Sequence, residues 1–331
     1  MSAPSGNPLR IGFIGLGEHQ CRAHIKHLVT LAKEDPSIQL VAGYDPNGAA
    51  FDAVAAEYGV TLERFASDGA LLASGQIDAV FISSPDEFHA KQLASAVEAG
   101  LHVFCEKPVA VSEEDTRWLS EALFSAAARG LVVSSCHPRR FDPPFLRLKE
   151  MLPSLVEKFG ALVHFDFSFW YHEVVDEWKK DRSLLSDHYG HEIDLLRFLT
   201  GAGLFEVTKV ADGYDFYEVV GQADALTSFR FLGSRALPES VYNESVRLDF
   251  RKGAIFINLN TGEGIQLPSL AKFTIPGIDY DARFLAVNRN FVNAVRGTEP
   301  CYLSPGDIWT NNFSSVKLTE EGRFSSLPQL P

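Results

Sequence analysis

The chain lacks an excess of basic residues: 30 Lys and Arg stand against 43 Asp and Glu, for a formal net charge of −13. Nucleic-acid recognition rests on a basic surface that neutralises phosphates, so that class of partner is not expected. No apolar run approaches the length that a bilayer demands, which argues against a membrane partner. The opening residues MSAPSGNPLR carry no apolar stretch of the kind a signal peptide needs. Cysteine is scarce, and Cys21, Cys105, Cys136 and Cys301 lie far apart with no C-x-x-C pair. A disulfide framework and a zinc site are therefore disfavoured, no metal is expected, and free thiols fit a reducing cytoplasm. What is present describes a soluble globular protein, with 46% hydrophobic and 22% charged residues. At 331 residues it is too long for one ordinary core, which predicts two domains.

The first half alternates strand and helix. Leu9 to Gly17 is an apolar run ending in glycines, followed by a segment, Glu18 to Lys33, with apolar positions at helical spacing. A strand, then Gly15 and Gly17, then a helix beginning at Glu18 is the setting of a dinucleotide fingerprint. Its glycines let the backbone close on a pyrophosphate at the positive end of the helix. The third glycine of that pattern is replaced by Gln20. The next strand, Ile38 to Tyr44, ends at Asp45, a residue placed to accept hydrogen bonds from an adenosine ribose. An ordinary turn before Pro46 accounts for Asp45 equally well. Pro46-Asn47-Gly48 follows, with no arginine to receive a 2′-phosphate, so NAD is favoured over NADP. Further helices and strands lead to Leu101–Cys105 and Leu131–Ser135, and this rhythm demands a parallel sheet. Ser112 caps a helix with Asp115 three residues on, and Gly130 stops it.

The run GLHVFCEKPVAV sets Glu106, Lys107 and Pro108 at a strand end, where ligands sit in parallel sheets. Alone, the pair is more readily a surface salt bridge than a place for chemistry. Together with IGFIGLG and DAVFISSPDEFHAKQLASAVEAGLHVFCEKPVAVSEED, it resembles the Gfo/Idh/MocA family of NAD(P)-dependent oxidoreductases. His24 fits a histidine common in that family's first helix; it, His89 and His102 read mainly as structural. The resemblance implies a fold of two parts. Residues 8–136 form a Rossmann-type doubly wound parallel sheet, and residues 137–331 an α+β domain with an open, mostly antiparallel sheet. It also implies a coenzyme site of Gly15, Gly17, Glu18, Asp45, Ser84, Pro85, His89, Glu106, Lys107 and Arg140.

Beyond Ser135, the adjacent Arg139 and Arg140 at a strand end could hold a polar substrate or the cofactor; a domain-junction ion pair accounts for Arg139 nearly as well, and Arg140 matches the family's arginine before an aromatic. Gly160 to Tyr171 alternates apolar and polar residues, as a half-buried strand does, and more such runs follow. Between them lies SLLSDHYGHEIDLLRFLTG. Asp187 and His191 are four apart, so on a helix they share a face, and a carboxylate beside a histidine orients the ring. Asp187, His191 and Asp194 match an Asp-x-x-x-His-x-x-Asp pattern of the family. The match implies His191 as acid or base with Asp187 as partner, and a structural Asp194. Where the family carries glycines, this chain has Leu184-Leu185-Ser186 and Tyr189, which points to a reshaped substrate pocket. His188 is an added candidate. Trp170, Tyr171, His172, Trp178, Lys179 and Arg182 are candidate pocket residues.

The resemblance thus implies an oxidoreductase moving a hydride between NAD(H) and a ring carbon of a sugar, sugar derivative or cyclic polyol. Lys107 would hold the substrate oxygen, with Arg140, Trp170, Asp187, His188 and His191 around it. A homo-oligomer, dimer or tetramer, would form through the open sheet. Two other readings stay open: a non-catalytic NAD-binding regulator of sugar metabolism, and an NAD-dependent glycosidase.

Overall fold

The computed structural model describes residues 8–172, 183–203, 206–236 and 242–325. It divides into two compact units. The first holds the chain up to Pro138 together with Phe284–Asn312, and the second holds Arg139–Arg283 together with the described residues after Asn312.

The first half runs through β1 (Leu9–Ile14), α1 (Glu18–Gln20), α2 (Lys26–Glu34), β2 (Ile38–Tyr44), α3 (Ala49–Tyr58), β3 (Glu63–Arg64) and α4 (Asp68–Leu72). It continues with β4 (Ala79–Ile82), α5 (His89–Glu98), β5 (His102–Cys105), α6 (Glu113–Ala128) and β6 (Val133–Ser135). The strands form a six-stranded parallel sheet in the order β3-β2-β1-β4-β5-β6. The order turns around between β1 and β4, which opens a crevice at the carboxyl ends of those strands. Their side chains are buried almost throughout, as strands covered on both faces must be. Ser112 Oγ accepts the Asp115 amide at 3.2 Å, and Gly130 ends the segment at φ +68°. The carboxylate of Asp115 reaches back to the Val111 amide rather than to that of Ser112.

The remaining elements are α7 (Pro143–Phe159), β7 (Leu162–Trp170), α8 (Leu184–Thr200), β8 (Glu206–Asp212), β9 (Phe216–Gln222), β10 (Ser228–Ser234) and β11 (Asn243–Phe250). Then come β12 (Gly253–Asn258), β13 (Glu263–Leu267), β14 (Ala271–Thr274), α9 (Tyr280–Val295), α10 (Pro305–Glu321) and β15 (Arg323–Ser325). A nine-stranded sheet runs β14-β13-β12-β11-β7-β10-β9-β8-β15, antiparallel except where β10 meets β7. One face is aromatic: Phe165, Phe167 and Phe169 of β7 with Phe229 and Phe231 of β10 are buried beneath α7 and α8. The alternate residues of β7 (His164, Asp166, Ser168 and Trp170) lie on the other, open face.

The chain rejoins the first unit late. Phe291 of α9 sets its ring edge-on to Phe81 and Phe104, with centroids 5.3 and 5.4 Å away. The two units divide between Pro138 and Arg139 and again between Arg283 and Phe284, since Phe284–Asn312 packs with the parallel sheet.

Candidate active site

In the first unit, the residues expected to hold a dinucleotide gather at the carboxyl ends of the parallel strands. Gly15 ends β1 at φ +83°, where a Cβ would lie 2.5 Å from the Ser83 carbonyl oxygen, so only glycine lets these two strand ends approach. Gly17 opens α1, and a Cβ there would meet nothing within 4 Å. The backbone at this helix start is thus open to a diphosphate, as the fingerprint requires. Gln20, where the third glycine is missing, is fully buried. The helix widens into a π turn over Cys21–Ile25 directly after it. Asp45 follows β2, and its two oxygens accept the amides of Leu16 and Asn47, each at 2.7 Å. That fixes the carboxylate beside the glycine loop.

The Glu106-Lys107-Pro108 segment follows β5, with the Lys107–Pro108 peptide in the cis form. Glu106 is buried, and one of its oxygens receives two rings: His24 Nε2 at 2.7 Å and His19 Nε2 at 3.0 Å. Asn288 sets the orientation of the inner ring. Its amide group donates to the Ala23 and Phe284 carbonyls, leaving its oxygen for His24 Nδ1 at 3.0 Å. Burial alone would raise the Glu106 carboxyl, but His19 and His24 overcome it and hold the group well below the usual carboxylate range. His19, His24 and Glu106 bring three metal-ligand atoms within 4.8 Å of one another. Both rings already close on a single oxygen, so the cluster is built as a carboxylate–imidazole knot rather than a spread coordination shell. The other Glu106 oxygen accepts the Lys107 amide at 3.1 Å, so the carboxylate also shapes the turn that carries the lysine.

His89 joins the two loops beside the crevice, with Nδ1 2.7 Å from the Pro108 carbonyl and Nε2 2.8 Å from the Ser84 carbonyl. Its structural reading agrees with these contacts. Ser84 Oγ donates to Gln92, which donates in turn to Asp68. Pro85 leads into the short turn Asp86–Phe88. Sequence reasoning missed His19, Asn288 and Asn312. The latter two are more than 200 residues from their partners, and no local pattern signals such a contact.

In the second unit, α8 begins with Ser183 Oγ accepting the Ser186 amide, and it carries Asp187, His188 and His191. All three are partly exposed, while Leu184, Leu185, Tyr189 and Glu192 are fully buried. This corrects the expectation that the bulk of Leu184, Leu185 and Tyr189 reshapes an open pocket. These side chains point into the core, where the Tyr189 ring meets Phe231. His188 stacks on Phe169 with centroids 4.2 Å apart and stands 3.3 Å from the Tyr171 hydroxyl. Trp170 is not brought to this place. Strand periodicity puts it on the sheet face opposite Phe169, away from α8. Trp178, Lys179 and Arg182 lie outside the described residues.

Arg140 makes a two-pronged pair with Asp194, at 2.8 and 2.7 Å, which anchors the inner face of α8 and gives Asp194 the structural part expected of it. Its neighbour Arg139 is fully buried against Glu244, also paired through both oxygens, with Tyr242 bonded to the same carboxylate. Beside this group Glu192 is sealed from solvent. Burial pushes its carboxyl up to about 8 against the pull of Arg139.

Residues 9–135 match the Gfo/Idh/MocA model, described as an oxidoreductase family with an NAD-binding Rossmann fold. The uncharacterized oxidoreductase YrbE of Bacillus subtilis is 33% identical over 195 residues, 59% of this chain and about half (52%) of that protein. The inositol 2-dehydrogenase of Rhizobium meliloti is 26% identical over 284 residues, covering 80% of this chain and 82% of its own. Among solved structures, scyllo-inositol dehydrogenase from Lactobacillus casei, with bound NAD(H) and scyllo-inositol, superposes with a TM-score of 0.76. It is 20% identical and covers 98% of this chain and 99% of its own. GenD2 from gentamicin A biosynthesis gives 0.79 at 18% identity, covering 99% of both. The likeness of fold extends over nearly the whole chain, and residues 9–135, which carry the coenzyme motifs, form an NAD-binding Rossmann domain of the Gfo/Idh/MocA oxidoreductase type.

Proposed function

We propose that the chain is an NAD-dependent dehydrogenase of a cyclic polyol or sugar, interconverting a ring hydroxyl and a ketone. The observation that carries this reading is that each unit keeps one of the two sets expected of it. One is Lys107 on a turn braced by buried Glu106, and the other is Asp187 with His191 one helical turn apart on α8. The printed activities of the relatives, inositol 2-dehydrogenases and a D-glucoside 3-dehydrogenase, support the substrate class.

The residues present fit the coenzyme: Gly15 and Gly17 leave backbone space for the diphosphate, and Asp45 is fixed to take the ribose hydroxyls. Ser84, Pro85 and Glu106 wall the crevice. Bound NAD supplies the hydride acceptor or donor. In oxidation, the imidazole of His191 takes the substrate's hydroxyl proton, with Asp187, four residues earlier on the same helix, as its partner. Lys107 donates a hydrogen bond from Nζ to the same oxygen and favours its alkoxide character. Glu106 holds the lysine turn in place, and Arg140 supports the reacting helix through Asp194.

We assign the protein to a reducing cytoplasm and to a homo-oligomer. The four cysteines lie far apart in the sequence with no C-x-x-C pair, and among the described residues no helix is long and apolar enough to cross a membrane. On the open face of the large sheet, Arg230, Asp166, Arg247, Phe256, Ile265 and Lys272 follow one another across paired strands. Alternating charge that gives way to apolar side chains is a surface suited to a second copy of itself.

The test is NADH formation with a panel of inositols, aldoses and methyl glycosides, run beside light scattering of the apoprotein. Turnover of at least one cyclic polyol or pyranose is expected. NADH binding without turnover of any of them, in either direction, would overturn the reading in favour of a non-catalytic NAD sensor.

A further inference from the structure

Arg64 ends β3, the edge strand of the parallel sheet, and pairs with Gly43 of β2. Two residues after Gly43 comes Asp45, the start of the turn that leads through Asn47 to Gly48 and α3. The guanidinium of Arg64 lies close against that turn. A Cβ at Gly48 would sit 2.4 Å from its Nη1 and 2.9 Å from its Cζ, so only glycine admits it there. Its Cζ is 5.6 Å from the Phe51 ring centre, which gives the guanidinium a second contact. Arg64 is exposed, and among the described residues it pairs with no carboxylate, in a chain of 43 acids.

An arginine without an acidic partner thus sits at the carboxyl end of β3, against the turn that follows Asp45, the residue proposed to take the adenosine ribose. The planar fork suits a phosphate monoester, which it binds through two parallel N–H groups. We propose that Arg64 is a receptor for the 2′-phosphate of NADP(H), and that Asp45 on the same turn restrains it. Coenzyme choice in this chain is then a balance of two side chains. Asp45 accepts the free ribose hydroxyls of NAD and repels a 2′-phosphate, while Arg64 attracts that phosphate and is indifferent to its absence. This rests on the placement of Asp45 at the ribose.

The experiment titrates the protein and its R64A, D45S and D45S/R64A variants with NADH and with NADPH, following nicotinamide fluorescence. Arg64 is on the surface, so its removal leaves the fold intact. R64A is expected to weaken NADPH about tenfold, the size of one lost charge-assisted contact, while NADH stays within about twofold. D45S is expected to weaken NADH and strengthen NADPH, and adding R64A is expected to cancel that gain. R64K, which keeps the charge and loses the fork, should fall between. The inference is overturned if R64A weakens both coenzymes alike, which would make Arg64 a cover for the adenine. It is also overturned if D45S/R64A binds NADPH as tightly as D45S. D45S leaving NADH binding unchanged would instead remove Asp45 from the ribose, and this inference with it.

Discussion

Asn312 of α10 accepts the amides of Val109, at 2.7 Å, and Ala110, at 3.2 Å, through one side-chain oxygen. Its own amide group is tied to the Ile308 carbonyl. After Glu106, whose own amide still bonds the Ile82 carbonyl of β4, the amides of the segment are taken up chiefly by side chains. Glu106 takes that of Lys107, Asn312 those of Val109 and Ala110, and Asp115 that of Val111. A buried amide left without a partner costs about 1–3 kcal/mol. Asn312→Ala is therefore expected to lower the denaturation midpoint and to speed hydrogen exchange over 106–111. Asn312→Asp keeps the acceptor and should retain slow exchange there; if it exchanges as fast as the alanine variant, the oxygen is not what holds the turn.

Lys107→Ala and His191→Ala are each expected to lower turnover about 10²–10⁴-fold, the usual worth of acid–base assistance. NADH binding should survive in His191→Ala, because the glycine loop and Asp45, proposed to hold the coenzyme, lie in the first unit. Steady-state kinetics with a fluorescence titration of NADH checks both, and near-normal turnover in the two variants would refute their roles.

Gly15→Ala puts a methyl group 2.5 Å from a backbone oxygen at a φ that side chains rarely adopt. Neither the Ser83 carbonyl nor the strand carrying it can give way cheaply. Loss of measurable NADH binding is expected, with a fall in thermal midpoint. Gly17→Ala meets no protein atom within 4 Å, so it should keep the midpoint and weaken the coenzyme alone. Equal stability losses in the two variants would contradict this difference.

Glu192 predicts a pH dependence of stability. Its carboxyl is raised from an ordinary 4.5 to about 8, so between those values the folded chain holds a proton that the unfolded chain has released. Stability then falls as pH rises through that window, by up to about 1.4 kcal/mol per pH unit. Asp142, pushed by burial to about 6 against Arg283 and Arg139, contributes in the same direction at lower pH. Comparison between pH 6.5 and 8 isolates Glu192, with about 1.4 kcal/mol per unit as the upper limit. Glu192→Gln should flatten the urea-midpoint profile there; an unchanged slope would mean that the carboxyl is already ionised in the fold.

Local pattern was enough for the coenzyme half. The glycines after β1, the acid after β2 and the charged turn after β5 are sequence features because each is bound to the end of one strand, and parallel strands bring their ends to one edge. The helical spacing of Asp187 and His191 was legible for the same reason. Tertiary structure decided the rest. Trp170 left the candidate pocket because a strand alternates faces, and Tyr189 entered the core because its side of α8 meets the aromatic sheet. The order of residues after Pro46 offered no arginine for a phosphate, yet β2–β3 pairing lays Arg64 on Gly48. Residues 284–312 rejoin the first unit and deliver Asn288 and Asn312 to His24 and to the lysine turn. Sequence alone determined which residue types stand at strand ends, since that depends on neighbours along the chain. Packing between distant segments decided which of them are braced, buried or left facing a ligand, since burial and hydrogen-bond partners come from residues that no local spacing connects.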